Sequence, residues 1–319
     1  MNFVIRDAER GFAEKYNDMK MKKVIVTGGA GFIGSHLTER LLKEGCRVTV
    51  IDDLSEGKWE NLPKDPKLTK YKVSILDDIS KFVKGQDVVF HLAALPRLKR
   101  SIDDPLQTHK VNVDGTLNLL LTAKEHNVKR FVFASSSSVY GDQDRLPLTE
   151  NMKPNPLVPY SLQKLIGEEY CKLFSNLWGL ETISLRYFNV YGPRMNPDSP
   201  YANLLPKFIK LMSQNKLPII NGDGTHSRDF THVSDVVEAT LLAAGSTLTG
   251  EVFNIGYGER ISVNKIVKIL NQLMSKYIRP THGPTVVEPK TTLASNLKAQ
   301  KMLRWKPKVS FEEGIKTML

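Results

Sequence analysis

The sequence predicts an α/β fold, a doubly wound parallel sheet followed by a smaller C-terminal α/β lobe. Apolar strand-like runs alternate with helix-periodic segments through the first half of the chain, and a glycine-rich turn joins the first run to the first helix. This alternation is typical of parallel strands joined by helical crossovers on both faces of the sheet. The strand candidates are KKVIVTGG, CRVTVID, KYKVSIL, DVVFHLAA, KRFVFASS, ETISLRYFN and EVFNIG.

The segments between these runs set the expected domain boundaries. GSHLTERLLKEG and VNVDGTLNLLLTAKEHN show helical periodicity, which places helices between consecutive strands. Residues 21–188 are therefore predicted to form the sheet domain and residues 189–319 mainly the smaller lobe. We expect the run near 251–256 to return to the main sheet as a strand. Residues 1–20 mix acidic and basic side chains and are expected to form a polar extension.

Composition narrows the class of protein. The net charge of +11 comes from 45 Lys and Arg against 34 Asp and Glu, but the basic residues are scattered and no basic run alternates with aromatics. We therefore expect no nucleic-acid partner, and a basic balance also suits a small anionic substrate. No apolar run approaches the ~20 residues of a membrane span, and the N-terminus lacks a signal-peptide core, so we expect a cytoplasmic protein. Cys46 and Cys171 have no metal-binding spacing and are expected to be buried thiols.

A glycine loop lies at the first strand-to-helix junction, in VIVTGGAGFIGSHL. Gly28, Gly31 and Gly34 permit a tight turn, close approach of the backbone to a pyrophosphate, and helix-to-strand packing. The second strand candidate ends in Asp52, whose carboxylate can hydrogen-bond both ribose hydroxyls and would repel a 2′-phosphate. The sequence therefore predicts a Rossmann-type domain that binds NAD rather than NADP.

The spacing in TGGAGFIG resembles that of the extended short-chain dehydrogenase/reductase superfamily, and the chain is similar to its NAD-dependent nucleotide-sugar epimerases and dehydratases over nearly all of 22–319. The resemblance implies that HLAA (91–94) lies beside the adenosine ribose and that Asn112 supports the cofactor side of the site. Ser74 departs from the aspartate that the family usually has near the adenine. The resemblance also places along the cofactor Phe32, Ile33, Asp53, Leu54, Ser55, Leu92, Ala93, Ala94 and Tyr187.

A tyrosine and a lysine four residues apart, in PYSLQK, are the catalytic candidates. On a helix, Tyr160 and Lys164 share one face, so the ammonium can lie near the phenol. A free tyrosine titrates near ~10, and the positive charges of Lys164 and oxidised nicotinamide would lower that pKa. In ASSSSVYG, the resemblance implies that Ser136 hydrogen-bonds the reacting sugar hydroxyl. It also implies that Ser137 and Ser138 face the sugar pocket, while Ser135 is structural.

The second half of the chain resembles the nucleotide-sugar lobe of the same family. By that resemblance Asn189, in LRYFNVYGPR, and Asn203 contact the diphosphate, and Arg228 clamps it with a bidentate guanidinium. Ile219 flanks the nucleobase, and Thr292 leaves room for an N-acetyl group on the sugar. The C-terminal segment departs from the family, which usually has a second phosphate-binding arginine and two aspartates at the positions of Thr285, Glu288 and Ser295.

The closest resemblance is to UDP-sugar 4-epimerases, above all those that act on N-acetylglucosamine or glucuronate derivatives, as AALPRLKRSIDDP suggests. It implies a UDP-linked substrate, a homodimer formed by two helices of each subunit, and a role in polysaccharide biosynthesis. A UDP-glucuronate decarboxylase stays open as an alternative. A 4,6-dehydratase is disfavoured because Ser137 and Ser138 stand where that reaction uses an acid–base pair. An NAD-responsive binding module without turnover is the alternative of another class.

Overall fold

A seven-stranded, wholly parallel sheet forms the centre of the molecule, as the computed structural model shows for residues 21–199, 203–285 and 291–319. The strands are β1 (Lys23–Thr27), β2 (Arg47–Asp52), β3 (Leu68–Lys72), β4 (Val88–His91), β5 (Arg130–Ser136), β6 (Glu181–Tyr187) and β11 (Glu251–Ile255). Their order across the sheet is β11-β6-β5-β4-β1-β2-β3. The prediction of a doubly wound parallel sheet is confirmed. The polar extension predicted for residues 1–20 lies outside the described residues.

The helices follow the strands as crossover connections. They are α1 (Phe32–Lys43), α2 (Ser80–Val83), α3 (Leu98–Asp103), α4 (Pro105–His109), α5 (Gly115–Glu125), α6 (Pro159–Trp178), α7 (Leu204–Ser213), α8 (Val233–Ala244), α9 (Val263–Leu273), α10 (Leu297–Leu303) and α11 (Phe311–Lys316). One π-helical turn, residues 110–114, joins α4 to α5. Helix α6 has proline at its first turn and ends at Gly179, whose φ of 69° is the left-handed conformation that glycine adopts at low cost.

The core consists of two apolar layers, one on each face of the sheet. In β1 the side chains of Val24 and Val26 join the layer under α1 and α8, whereas Ile25 between them joins the layer under α5 and α6. This alternation is the two-residue side-chain period of a strand, and burial of both faces explains why these runs are almost continuously apolar. Cys46 and Cys171 are buried free thiols within these layers.

The strand order reverses between β1 and β4, which places a crevice at their carboxyl ends. The chain continues from β1 into Gly28 and from β4 into the segment 92–97, so both loops open at the same edge of the sheet. In open parallel sheets, such a switch point is where ligands bind. The site described below lies at this edge.

The smaller lobe has its own apolar core and three two-stranded sheets. Its remaining strands are β7 (Val190–Tyr191), β8 (Ile219–Asn221), β9 (Ser227–Asp229), β10 (Thr231–His232), β12 (Arg260–Ser262) and β13 (Thr281–Gly283), which pair β7 with β10, β8 with β13 and β9 with β12. Phe208, Ile266 and Phe311, from helices α7, α9 and α11, pack in this core. In the described part of the chain, no helix is long and apolar enough to cross a membrane.

Candidate active site

Gly28 and Gly34 present only backbone at the crevice because neighbouring backbone atoms leave no room for a side chain at either position. Gly28 has a φ of 67°, and a Cβ added there would lie 2.7 Å from the backbone nitrogen of Ala93. A Cβ on Gly34 would lie 2.1 Å from the carbonyl oxygen of Gly28. The amide of Gly28 donates to the carbonyl of Ile51, 2.9 Å away, which ties the loop to the end of β2. Exposed amides at a helix start fit the pyrophosphate of a dinucleotide.

Asp52 holds the loop from the other side. Its Oδ2 accepts a hydrogen bond from the backbone N–H of Ala30 at 2.9 Å, and its Oδ1 accepts one from that of Leu54 at 2.8 Å. Burial raises the pKa of this carboxyl, and the two backbone hydrogen bonds oppose that rise. Each carboxylate oxygen has a second lone pair, so Asp52 retains acceptor capacity for ribose hydroxyls.

A cavity of about 440 Å³ runs along the glycine loop and the carboxyl ends of the strands. Most of the residues predicted to bind the cofactor line it, and its size suits a dinucleotide. They are Gly28, Gly31, Phe32, Ile33, Gly34, Asp52, Asp53, Ser55, Leu92, Ala93, Ala94, Tyr160, Lys164 and Tyr187. Met195 and Pro197 of the smaller lobe also line it, and the sequence patterns gave no signal for them.

Asn112 lies behind the residues that line this cavity. Its Oδ1 accepts from the backbone N–H of Leu95 at 2.8 Å, and its Nδ2 donates to the Leu95 carbonyl at 3.1 Å and to Oε1 of Gln163 at 2.8 Å. Gln163 lies in α6, between Tyr160 and Lys164. Asn112 thus pins the loop after β4 to the helix that carries the candidate catalytic pair, and each of these polar groups is satisfied.

Tyr160 and Lys164 lie on one face of α6, at the end of β5. The Lys164 Nζ donates to the carbonyl of Ala134 at 2.8 Å and lies 5.9 Å from the centroid of the Tyr160 ring. Burial lowers the pKa of Lys164 to about 8. Burial raises the pKa of Tyr160, and the charge of Arg97 and a hydrogen bond with Ser136 oppose that rise. The structure therefore brings together the tyrosine, the lysine and the serine that the sequence singled out.

The other serines of ASSSSVYG have separate environments. Ser135 donates to Oε1 of Glu168, a buried carboxylate in α6, and this contact agrees with a structural role. The Oγ of Ser136 accepts from the backbone N–H of Ser138 at 3.2 Å, so it caps the turn that begins at Ser137. The Oγ of Ser138 is buried and has no hydrogen-bond partner among the described residues. Ser135 lines the cavity described above, whereas Ser136, Ser137 and Ser138 are not among its lining residues.

A second cavity of about 690 Å³ lies between the sheet edge and the smaller lobe. Asn189, Asn203, Ile219 and Arg228, the predicted nucleotide-sugar residues, all line it. The Nδ2 of Asn189 donates to the Asp229 carbonyl at 3.2 Å. The cavity is therefore lined by amide groups, a guanidinium and an apolar patch.

Thr292 lines neither cavity, and neither do Thr285 and Ser295, two of the C-terminal positions that depart from the family pattern. Thr292 is buried, lines neither cavity, and its Oγ1 lies 3.4 Å from the backbone nitrogen of Asp229. Ser295 is also buried, and its N–H donates to the Leu148 carbonyl at 2.8 Å. Thr285 is exposed near Gly222, and Glu288 lies outside the described residues.

Arg97 is a further lining residue for which the sequence patterns provide no signal. It follows the HLAA loop, lines both cavities, and acts electrostatically on Tyr160. Met195 is the other residue that lines both. The two cavities therefore meet at Arg97 and Met195, and Tyr160 and Lys164 line the first of them. Among the described residues, no group of His, Cys, Asp or Glu could hold a metal ion. Nothing in the periodicity of PRLKRS distinguishes Arg97 from the cations beside it.

A dinucleotide cradle that contains a tyrosine–lysine pair and opens onto a second cavity defines a class of NAD-linked enzymes. The chain belongs to the NAD-dependent epimerase/dehydratase family, whose model matches residues 24–256. It is 36% identical over 301 residues to a UDP-glucose 4-epimerase of Mycolicibacterium smegmatis, covering 92% of this chain and 96% of that one. The family resemblance drawn from the sequence is confirmed, and so is NAD as the cofactor.

Two solved structures are similar over the same extent. A UDP-N-acetylglucosamine 4-epimerase of Methanobrevibacter ruminantium M1, in complex with UDP-N-acetylmuramic acid, has a TM-score of 0.91 and 38% identity, covering 94% of this chain and 97% of that one. A UDP-glucuronic acid 4-epimerase of Bacillus cereus, in complex with UDP-glucuronic acid and NAD, has a TM-score of 0.87 and 35% identity, covering 92% and 97%.

Proposed function

We propose that this chain is an NAD-dependent 4-epimerase of UDP-linked sugars that works through a transient 4-keto sugar. The observation that carries the proposal is that the two cavities meet at Arg97 and Met195. Arg97 acts electrostatically on Tyr160, which lines the first cavity together with Lys164. A nucleotide sugar held in the second cavity can present its ring to the tyrosine while its nucleotide stays in the smaller lobe. The related structures with UDP-linked ligands support the choice of UDP.

The residues of this chain supply the proton chemistry. Tyr160, as phenolate, takes the proton of the sugar 4-hydroxyl, and Ser136 shares the hydrogen bond to that oxygen. Lys164 favours the phenolate by its positive charge, and the carbonyl of Ala134 holds its ammonium in place at 2.8 Å. When bound, NAD supplies the two-electron oxidant that takes up a hydride from carbon 4 and gives it back. Positioned proton transfer of this kind contributes ~100- to 10,000-fold in rate.

The second cavity anchors the nucleotide so that the sugar can turn. Asn189, Asn203 and Arg228 bind the diphosphate, and Ile219 flanks the uracil. Most of the binding free energy comes from the nucleotide, which leaves the sugar free to present either face. A 4,6-dehydratase reaction would need an acid–base pair beside the ring, where this chain has Ser137 and Ser138.

Proton NMR of the purified protein with NAD tests the proposal. UDP-N-acetylglucosamine, UDP-glucose and UDP-glucuronate are incubated in separate samples, and the anomeric signal of the 4-epimer is followed. Appearance of that signal in any sample supports the 4-epimerase. Loss of the carboxylate carbon of UDP-glucuronate identifies the decarboxylase instead. No change in any sample, with NAD shown to be bound, contradicts the proposal and favours a binding module.

We also propose a cytoplasmic homodimer that supplies sugars for polysaccharide biosynthesis. Helices α5 and α6 expose Leu121, Leu162, Leu173 and Leu177, an apolar surface suited to a helix pair of a second copy. Light scattering after gel filtration tests the dimer. Leu162→Glu should yield a monomer, whereas Leu217→Glu, at an exposed leucine of the smaller lobe, should leave a dimer. A monomeric wild type would contradict the dimer. Cell fractionation tests the location.

A further inference from the structure

Arg97 has a backbone conformation that side chains rarely adopt. It precedes α3 with φ 95° and ψ 126°, a region used almost only by glycine. Holding another residue there costs on the order of 1–3 kcal/mol, and such strain tends to occur at ligand sites. The backbone conformation at this position therefore favours glycine over arginine. We attribute the presence of arginine to a role of its side chain.

The guanidinium of Arg97 is partly buried and lacks a counterion. Within the part of the chain that the structure describes, it makes no hydrogen bond and no salt bridge. The titratable groups that act on it are Tyr160 and Glu56, and the Glu56 carboxylate already bonds the guanidinium of Arg100. Arg130, by contrast, is paired with Glu181 and with two backbone carbonyls. A partly desolvated cation without a partner favours an anionic ligand.

The position of Arg97 identifies which anion it meets. The groups assigned to the diphosphate and the nucleobase line the second cavity only, whereas Arg97 also lines the first, beside Tyr160. If Tyr160 meets the oxygen on carbon 4 of the sugar, the neighbouring carbon 5 and its substituent carbon 6 lie within reach of the same wall. In a hexuronate, carbon 6 is a carboxylate, and a guanidinium binds carboxylate with two parallel hydrogen bonds.

We infer that Arg97 is a specificity-determining residue that binds the carboxylate of the sugar, so that the preferred substrate class is the nucleoside-diphosphate hexuronates. This inference rests on the proposed 4-epimerase function. It assigns to one residue of this chain the discrimination between an acidic sugar and a neutral one. A neutral hexose would leave the guanidinium without a partner, and an unpaired buried charge weakens binding.

The test compares kcat/KM for UDP-glucuronate and UDP-glucose in the wild type, Arg97→Gly and Arg304→Gly. The wild type should prefer UDP-glucuronate. Arg97→Gly should lose about 10- to 100-fold on UDP-glucuronate, the loss expected for one charge-assisted contact, and change little on UDP-glucose. Glycine also suits the backbone at this position, so thermal unfolding of Arg97→Gly should occur at or above the wild-type temperature. Arg304 is an exposed arginine that also has a positive φ, 55°, and lines neither cavity, so Arg304→Gly should leave both substrates unchanged.

Four results would overturn the inference: no wild-type preference for the uronate, no loss in Arg97→Gly, an equal loss on both substrates, or a matching loss of NAD affinity. An equal loss would assign Arg97 to the diphosphate or to Tyr160, and a loss of NAD affinity would assign it to the cofactor. If UDP-N-acetylglucosamine alone turns over, the preference for the uronate is absent and the inference is overturned, whereas the proposed function fails only if none of the three sugars turns over. Calorimetric binding of UDP-glucuronate and UDP-glucose to the wild type and Arg97→Gly then tests Arg97 separately, with the same expected difference.

Discussion

Gly34→Ala should weaken NAD binding by displacing the glycine loop. Gly34 lies in the first turn of α1, directly under the turn at Gly28 and Gly29. An added Cβ would lie 2.1 Å from the Gly28 carbonyl oxygen and 2.8 Å from the Gly29 Cα. Both atoms belong to the backbone, so no side-chain rotation relieves the contact. The same carbonyl accepts the N–H of Gly31 at 3.2 Å, which closes the turn.

The size of this steric overlap determines the expected loss of NAD affinity. A carbon–oxygen contact needs roughly 3.2 Å or more, so the loop must shift by about 1 Å at the point where its amides face the pyrophosphate. Overpacking of this kind costs about 1–3 kcal/mol, which corresponds to about a 5- to 150-fold loss of NAD affinity if the cost falls on the bound loop. Isothermal titration calorimetry with NAD measures it.

Gly85→Ala is the matched control. Gly85 has a positive φ of 76°, which Gly34 does not, and an added Cβ at Gly85 would meet nothing within 4 Å. Alanine at that position should lower the unfolding temperature through backbone strain and leave NAD affinity unchanged. If Gly34→Ala binds NAD within twofold of the wild type, the steric account of the loop is wrong.

Three further predictions concern buried charges. Asp52→Asn should weaken NAD binding about 10- to 100-fold and NADP binding less, because a carboxylate acceptor is lost; equal losses for both cofactors in calorimetry would contradict the role of Asp52. Lys164→Met should abolish turnover yet raise the free energy of unfolding at neutral pH by up to about 3 kcal/mol, since burial lowers the pKa of Lys164 to about 8. The gain in the free energy of unfolding is full below pH 8 and should disappear as the pH rises to ~10.5, where the lysine of the unfolded chain also loses its proton. A difference between variant and wild type in urea unfolding that does not change with pH would refute this prediction. Glu168→Gln leaves the buried Arg186 guanidinium, bonded at 2.7 Å, without a counterion and should cost about 3–5 kcal/mol. The control Glu238→Gln, whose partner Lys308 is exposed, should cost less than about 1 kcal/mol, and similar losses in urea unfolding would sink this reasoning.

The main sheet could be predicted from the sequence because its strands are buried on both faces. β1, β4 and β6 coincide with apolar runs, and the predicted strand near 251–256 corresponds to β11 beside β6. The least accurate strand prediction was KYKVSIL. The observed strand β3 is the exposed edge strand Leu68–Lys72, and the chain turns at Ser74. There the N–H of Ser74 donates to Asp77 Oδ2 at 3.0 Å, which ends the strand early.

The smaller lobe was harder because its strands are only two or three residues long. Pairs such as β8 with β13 are too short to show a two-residue period, and the partners lie far apart in the chain. The glycine loop and the tyrosine–lysine spacing are local patterns, so the sequence placed them directly. The positions of Arg97 and of the buried Glu168–Arg186 pair could not be predicted, because they depend on contacts between elements that are distant in the chain.

The central claim is that Tyr160 carries the proton step of a 4-epimerase, and Tyr160→Phe tests it most directly. Epimerisation of UDP-glucuronate and UDP-N-acetylglucosamine is followed by proton NMR, with NAD and UDP affinities measured in parallel. We expect at least a ~100-fold loss of rate, with the NAD and UDP affinities nearly unchanged. Tyr140→Phe, which removes a buried hydroxyl bonded to Asn254, serves as the control and should keep its activity. If Tyr160→Phe keeps a tenth or more of the wild-type rate, Tyr160 does not carry the proton step.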